Sequence, residues 1–582
     1  MKTYSQYMNE LSSDELYNGL IQGMFADRLP PMFTMKEFLA KYCAKNRNVS
    51  CPVPIKSRYI SFDSIRNTGI PRRMGIPQPF SYEVLCRYMK KEWANFRKHF
   101  EERTKLNSYK ISQIHIRRQR DSDLIFKMNY QNWYKDEDII PDIRMTARFV
   151  VETDISTCFP SIYTHALEWA ISSRERAKEN LREGRKELGG YVDEYVRSIR
   201  DGETCGILIG PHVSNLISEI ILTRVDEELY KEGYRFVRRI DDYECYTNTH
   251  DQAERFLSTL KDALGKYNLS LNYKKTIIKE LPLSIDDTWK QQLKSALVIL
   301  PKDRIDKESI ATFLDILVDI MKEHKNGAVF SYAVKALSSR YLSEVARQYY
   351  VKFILHLAYC YPYLYQYLDE YLFYAFDVES DYICSFAEKM LEHGYEVRNF
   401  EECSYALFFS IKYAFQLQSF NVERIIQTND AILMAIAWQY VSCFGLEKEK
   451  YALHNFALTL TDRAFDENWL FAYEALSDNE LSGQWRNLKK TNVSFFKSVE
   501  AISPSHTPTY EVFPIVWTCR MDLTNSDEKI TFEKLYQEFI NDNPQYESIR
   551  LANEYLECII GNLIANSRLK KNVLIFRTTT MQ

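Results

Sequence analysis

Two hydrophobic patterns divide the chain. Up to about residue 290, short runs rich in β-branched and aromatic residues alternate with helical stretches. Residues 148–153 and 234–240 read as strands. Between them, residues 213–229 place Leu216, Ile220, Ile221, Val225 and Leu229 at helical spacing. Beyond residue 300 the strand signals almost vanish, and no proline occurs between Pro362 and Pro504. There Val345, Tyr349, Phe353 and Leu357 form one predicted helical stripe, and Ile425, Ile432, Ile436, Gln439 and Phe444 fall in another apolar helix. Stacked amphipathic helices of this kind predict a helical-repeat array, although no clean sequence period is visible. The join falls near residues 282–301, and a looser stretch at 503–514 with three prolines predicts a loop inside the helical half. The pattern therefore predicts an α/β module over residues 1–290 and an all-α, HEAT-like domain over 291–582.

Charge sharpens this division. The net charge is −4, yet residues 51–120 hold 16 basic against 5 acidic residues, while residues 301–582 hold 28 against 38. A basic block on an acidic protein suggests a phosphate-facing surface, or simply a solvated face. The longest apolar run, residues 431–446, includes Gln439, Tyr440 and Ser442 and is too short to span a bilayer, so a buried helix is expected. The twelve cysteines contain no CxxC pair and no zinc-ligand spacing with histidine. Dispersed thiols and a polar, acidic first 20 residues fit a cytoplasmic protein with no membrane partner. Most of the 41 tyrosines are expected in cores, with base stacking the functional alternative.

Candidate chemistry is concentrated in the first half. In residues 149–159 an apolar strand delivers Asp154 at its end, and Phe159 follows five residues later. Alone, such an aspartate reads as a turn or helix cap. In residues 236–243 the pair Asp241-Asp242 sits at a predicted hairpin turn. Alone, the pair reads as a solvated turn; yet a turn needs one aspartate for its geometry, and a second adds repulsion that cations offset. Phosphoryl transfer uses such carboxylates, with two Mg²⁺ ions roughly 4 Å apart. Between the acidic sites lie Gly206 and Gly210, whose freedom lets backbone approach a base pair or template closely. After them comes Leu269-Ser270-Leu271-Asn272-Tyr273-Lys274-Lys275-Thr276, and upstream, in the basic block, Pro71-Arg72-Arg73-Met74-Gly75-Ile76-Pro77.

Taken in order, these segments resemble the motifs of reverse transcriptases. Arg72 to Pro77 resembles the fingers segment, Asp154 with Phe159 motif A, and Gly206 to Ser214 motif B. Ile240 to Tyr243 resembles the x-D-D turn of motif C, and Asn272 to Thr276 motif D. The resemblance implies a fingers–palm module and DNA synthesis from dNTPs with two Mg²⁺ per site, Mn²⁺ being the alternative. It implies Asp154, Asp241 and Asp242 as catalytic and metal-binding residues, with the backbone carbonyl of Ile155 as a further ligand. Arg72 and Arg73 would grip the triphosphate, where guanidinium forks suit phosphate. Phe159 would exclude a ribose 2′-hydroxyl, Gly210 would lie at the nucleotide, and Lys275 would assist pyrophosphate departure. His115, Arg117, Arg118 and Arg120 read either as the lining of a nucleic-acid channel or as an exposed basic strand.

The resemblance is nearest to bacterial abortive-infection enzymes of the AbiK type. It rests on Asp201-Gly202-Glu203-Thr204 running into the glycine motif, on Ile209 where template-copying enzymes favour Gln, and on the long helical half. That implies homo-oligomers acting in anti-phage defence and protein-primed DNA synthesis, template-independent in some members. Tyr510 is a weak candidate primer. The alternatives are an RNA-templated reverse transcriptase of retron or group II intron type and a non-catalytic RNA-binding scaffold. Two positions depart from the family pattern: Arg239 stands where Tyr is usual, and Leu208 replaces a Pro. Arg239 would contact a phosphate, a template strand or a second subunit.

Overall fold

The computed structural model describes residues 3–502, except 26–27, 47–51, 114–115, 119–123, 128–138, 285–286 and 325–326, together with residues 516–518 and 573–575. It is mostly helical, with small antiparallel sheets.

Two short N-terminal helices, Tyr4–Asn9 and Ser13–Gln22, start on capping boxes at Thr3 and Ser12. A hairpin follows, β1 (Tyr59–Ile65) against β2 (Pro71–Pro77). The helix Pro79–Lys91 runs from it with eleven buried residues, having proline at its start where the missing N–H costs nothing. A small pair, β3 (Arg117–Arg118) and β4 (Phe126–Lys127), precedes the central sheet.

That sheet has four strands: β5 (Phe149–Asp154), β6 (Arg235–Arg239), β7 (Asp242–Thr247) and β8 (Ile277–Glu280), in the spatial order β6-β7-β5-β8 and antiparallel throughout. The expected strands thus appear within a residue or two of their predicted limits. The helix predicted at 213–229 runs His212–Lys231, with Leu216, Ile220, Ile221, Val225 and Leu229 all buried. A second helix, His250–Gly265, follows β7 and packs on it.

From Thr288 to Ile502 every described element is a helix. Three expectations for this half need correction. The predicted stripe on the helix Glu344–Cys360 holds in part: Leu357 is buried and Tyr349 and Phe353 pack half-buried against the core, but Val345 is 60% exposed and the neighbouring row Ala346, Tyr350 and Ile354 is buried more deeply. Both rows are apolar, and packing against the helix Lys307–His324 chose between them. Ile425 and Ile432 do not share a helix. Val422–Thr428 stops at Asn429, whose φ of 51° is left-handed, and Asp430 caps a new helix, Ala431–Phe444. The half is also not wholly α. β9 (Val516–Thr518) pairs antiparallel with β10 (Val573–Ile575), each with two β-branched residues of its three. The run expected to be a buried helix is one, with nine buried side chains between Ala431 and Val441. Among the described residues no helix is long and apolar enough to cross a membrane.

The helical half folds back on the start of the chain. Trp469 and Phe495 pack against Phe25, and Phe496 against Phe33. The β1–β2 hairpin is held at two places. Arg58 pairs with Glu467 at 2.7 Å, and Glu401 accepts from the Ile65 N–H at 2.7 Å and the Ser64 hydroxyl at 2.8 Å.

Candidate active site

The central sheet brings three aspartates to one end. β5 passes through buried Val150 and Val151 and ends on Asp154; β7 begins on Asp242. In their register these two residues face each other. Arg239 pairs with Asp242, which leaves Ile240 and Asp241 as a two-residue turn. The Ile155 N–H donates to the Asp241 carbonyl at 3.1 Å, fixing the turn against the end of β5. The segment before β8 closes the other side: Asn272 N–H donates to the Asp154 carbonyl at 2.9 Å. Lys275 Nζ lies 2.5 Å from Asp154 Oδ2, two side chains 121 residues apart in sequence. The antiparallel ladder therefore places Asp154, Ile155, Asp241, Asp242 and Lys275 together.

The electrostatics follow from that crowding. Burial, and then the charge of Asp154, push the Asp241 carboxyl above its ordinary value. Burial with the charges of Asp241 and Asp154 pushes Asp242 up to about 6. Asp154 Oδ1 is buried without a hydrogen-bond partner. Carboxylates that destabilise one another, one with an unsatisfied oxygen, suit a hard divalent cation such as Mg²⁺. Their oxygens are not all within 4.8 Å of one another, and Lys275 holds one of them. Among the described residues the trio that close is His250, Asp251 and Glu254, an exposed group at a helix start.

The two arginines of β2 part company. Arg72 stands opposite Ser64 and Arg73 opposite Asp63, so the pleat turns them to opposite faces of the hairpin. Arg72 lies within electrostatic range of Asp241 and Asp242; burial, together with the charges of Arg66 and Arg28, lowers its pKa. Arg73 pairs with Asp63 at 3.2 Å and lines a separate cavity of about 540 Å³ with Arg58, Arg200, Asn429 and Asn468.

Phe159 is half-buried against the core, and its carbonyl accepts from Ile207 at 2.9 Å. Gly206 (φ 89°) is required by protein backbone: a Cβ there would sit 2.8 Å from the Pro160 carbonyl oxygen. Gly210 (φ 129°) precedes Pro211, which caps the helix His212–Lys231. Arg239 pairs with Glu244 at 2.8 Å. Arg118 pairs with Glu15 at 2.6 Å, and Arg117 contributes backbone to β3. His115, Arg120 and Tyr510 lie outside the described residues.

Telomerases are among the solved structures similar to this chain. One, from Candida albicans in complex with the TWJ fragment of telomeric RNA, is 14% identical over 63% of this chain and 68% of that one, with a TM-score of 0.25. Apo telomerase from Candida tropicalis is 11% identical over 75% and 68%, with a TM-score of 0.27. The same apo enzyme truncated from its C-terminal domain is 14% identical over 43% and 56%, with a TM-score of 0.24. Values this low establish no shared fold. No protein-family model matches the chain, and no curated protein matches it.

The sequence reading missed Arg238. It is fully buried beneath the turn, bonded to Glu219 and Asp226 of the preceding helix. Those two acids stand seven residues apart, hence on one face of the helix, and both are buried among its apolar side chains, a signal of a buried cation.

Proposed function

We propose that this chain is a DNA polymerase of the reverse-transcriptase type, joining dNTPs by two-metal nucleotidyl transfer. The observation that carries the reading is Asp154 facing Asp242 across β5 and β7, with Asp241 in the adjoining turn and all three in one electrostatic cluster.

Asp154, Asp241 and Asp242 would hold the metals. Mg²⁺ bound there supplies activation of the primer hydroxyl and neutralises charge on the departing pyrophosphate. The hydroxyl oxygen bonds to the α-phosphorus as the α–β phosphoanhydride bond breaks, and the hydroxyl proton passes to solvent. Arg72, on the hairpin face near the aspartates, orients the triphosphate. Lys275 leaves Asp154 to place its ammonium, or a proton from it, on the pyrophosphate. Phe159 presses on the sugar and excludes a 2′-hydroxyl.

Incorporation of labelled dNTPs by purified protein, with and without an RNA or DNA template, tests the reading. Incorporation lost in Asp154→Ala supports it; no incorporation under any of these conditions counts against it.

Within that class we favour a protein-primed, abortive-infection enzyme. Support for it comes from Asp201 to Thr204, Ile209 and the helical half clasping the fingers hairpin at Glu401 and Glu467. Nuclease-trimmed protein examined by mass spectrometry should carry a nucleotide on a Tyr, Ser or Thr, and the Asp241→Asn variant should not. A product with only free DNA ends would favour the template-copying alternative.

A further inference from the structure

Arg238 uses all five of its N–H donors inside the protein. Nε bonds to Asp226 Oδ1 at 2.9 Å and Oδ2 at 3.0 Å, and Nη2 to Asp226 Oδ2 at 2.7 Å and Glu219 Oε2 at 3.1 Å. Nη1 bonds to Glu219 Oε1 at 2.7 Å and to the Ile240 carbonyl at 2.8 Å. Two carboxylates thus share one guanidinium. The excess of negative charge is met by hydroxyls: Tyr4 and Ser112 donate to Glu219 at 3.0 and 2.9 Å, and Tyr243 donates to Asp226 at 3.3 Å.

The bond to Ile240 stands apart from the rest. Ile240 has φ 58°, left-handed backbone that a β-branched residue rarely adopts. In a two-residue turn with positive φ at its first position, glycine is the usual occupant. An isoleucine held there is strained and persists only where its surroundings over-determine it. Apolar packing often replaces a buried ion group at no loss of stability. What packing cannot supply is a donor to the Ile240 carbonyl.

We propose that Arg238 is a positioning residue: acting from beneath the palm through the Ile240 carbonyl, it holds the left-handed turn that presents Asp241 and Asp242 opposite Asp154. Glu219 and Asp226 aim the guanidinium, and Tyr4 ties the first helix of the chain into the same support. This rests on the polymerase reading of the site.

The test is titration of purified full-length protein with Mn²⁺, followed by electron paramagnetic resonance with no nucleotide present. Asp241→Asn serves as the control. Arg238→Lys keeps a cation between the two carboxylates but offers three donors where five are needed. It should bind Mn²⁺ about tenfold or more weakly, the usual loss when a group orienting a ligand is removed. Adding Ile240→Gly should restore much of that affinity, because glycine occupies the left-handed region without support. Should Arg238→Lys fail to fold, the neutral triple variant Glu219→Gln, Asp226→Asn, Arg238→Met replaces it, with and without Ile240→Gly. Wild-type affinity in a folded Arg238 variant, or no recovery on adding glycine, overturns the positioning role alone. Mn²⁺ binding untouched by Asp241→Asn overturns the site assignment beneath it, and the proposal with it.

Discussion

The helix Ala431–Phe444 begins on Asp430, whose carboxylate accepts from the Ile432 and Leu433 N–H groups, and stops where Gly445 turns left-handed. Nine of its fourteen side chains, Ala431 to Ala437 with Tyr440 and Val441, are buried. The turn at Ile240 and Asp241 is built on other terms. It puts a β-branched residue where glycine belongs, crowds three carboxylates, and buries an arginine beneath them. Every local rule agrees along the helix, whereas at the turn several are broken together and repaired by distant residues. Broken local rules held in place from elsewhere mark a functional site more often than an error of folding. The helical half supplies a frame, and the turn at the end of the central sheet holds the strain.

The contrast breaks most sharply at the carboxylates. Asp241→Asn should lower nucleotide incorporation by on the order of 10³-fold, since a lost metal ligand costs several kcal/mol of transition-state stabilisation. Its circular dichroism should be unchanged. Incorporation near the wild-type rate would make the turn merely structural.

In the frame, Trp469→Ala should cost about 3–5 kcal/mol in chemical denaturation, because the ring is fully buried. Trp469 stacks on Phe25 from the start of the chain as well as on Trp485, so both halves should weaken together. Two separate unfolding transitions, with only one shifted, would show that the halves are independent.

Phe159→Ala asks whether the proposed site selects sugars. Ribonucleotide incorporation relative to deoxyribonucleotide should rise by about tenfold or more, as the loss of a steric contact allows. Unchanged selectivity in an active variant would leave Phe159 a core residue.

The seam between the regions should respond to pH. Burial pushes the Glu401 carboxyl up to about 7 against an ordinary 4.5, outweighing its bonds to Ile65 and Ser64. A raised acid of this kind contributes stability that is fully present below pH 4.5 and is lost as pH rises through 7. Melting temperature should therefore fall across that window, and Glu401→Gln should flatten the fall. An equal slope in both proteins would place the titration elsewhere.

The smallest effect belongs to a purely local feature. Asn421 caps the helix Val422–Thr428 by accepting from Arg424 at 2.9 Å, so Asn421→Ala should cost about 1 kcal/mol with no change in incorporation. A loss of activity there would tie the frame to the chemistry more closely than the contrast allows.

Much of this protein was legible in its sequence because the signals are local. Strand and helix periods located β5, β6 and the helix His212–Lys231, and the order of the acidic and glycine segments marked where three aspartates would meet. Where two apolar rows competed, as Val345 with Ala346, sequence could not choose, because burial depends on which neighbour arrives. Pleating set Arg72 and Arg73 on opposite faces although they are adjacent in the chain. The spacing of Glu219 and Asp226 hinted at a buried cation, but that Arg238 is the cation and that it reaches the Ile240 carbonyl appears only when sheet and helix pack. Composition and period fixed which elements exist and where charge gathers. Tertiary packing decided which charges meet, since a buried ion group exists only once the surrounding chain has excluded water from it.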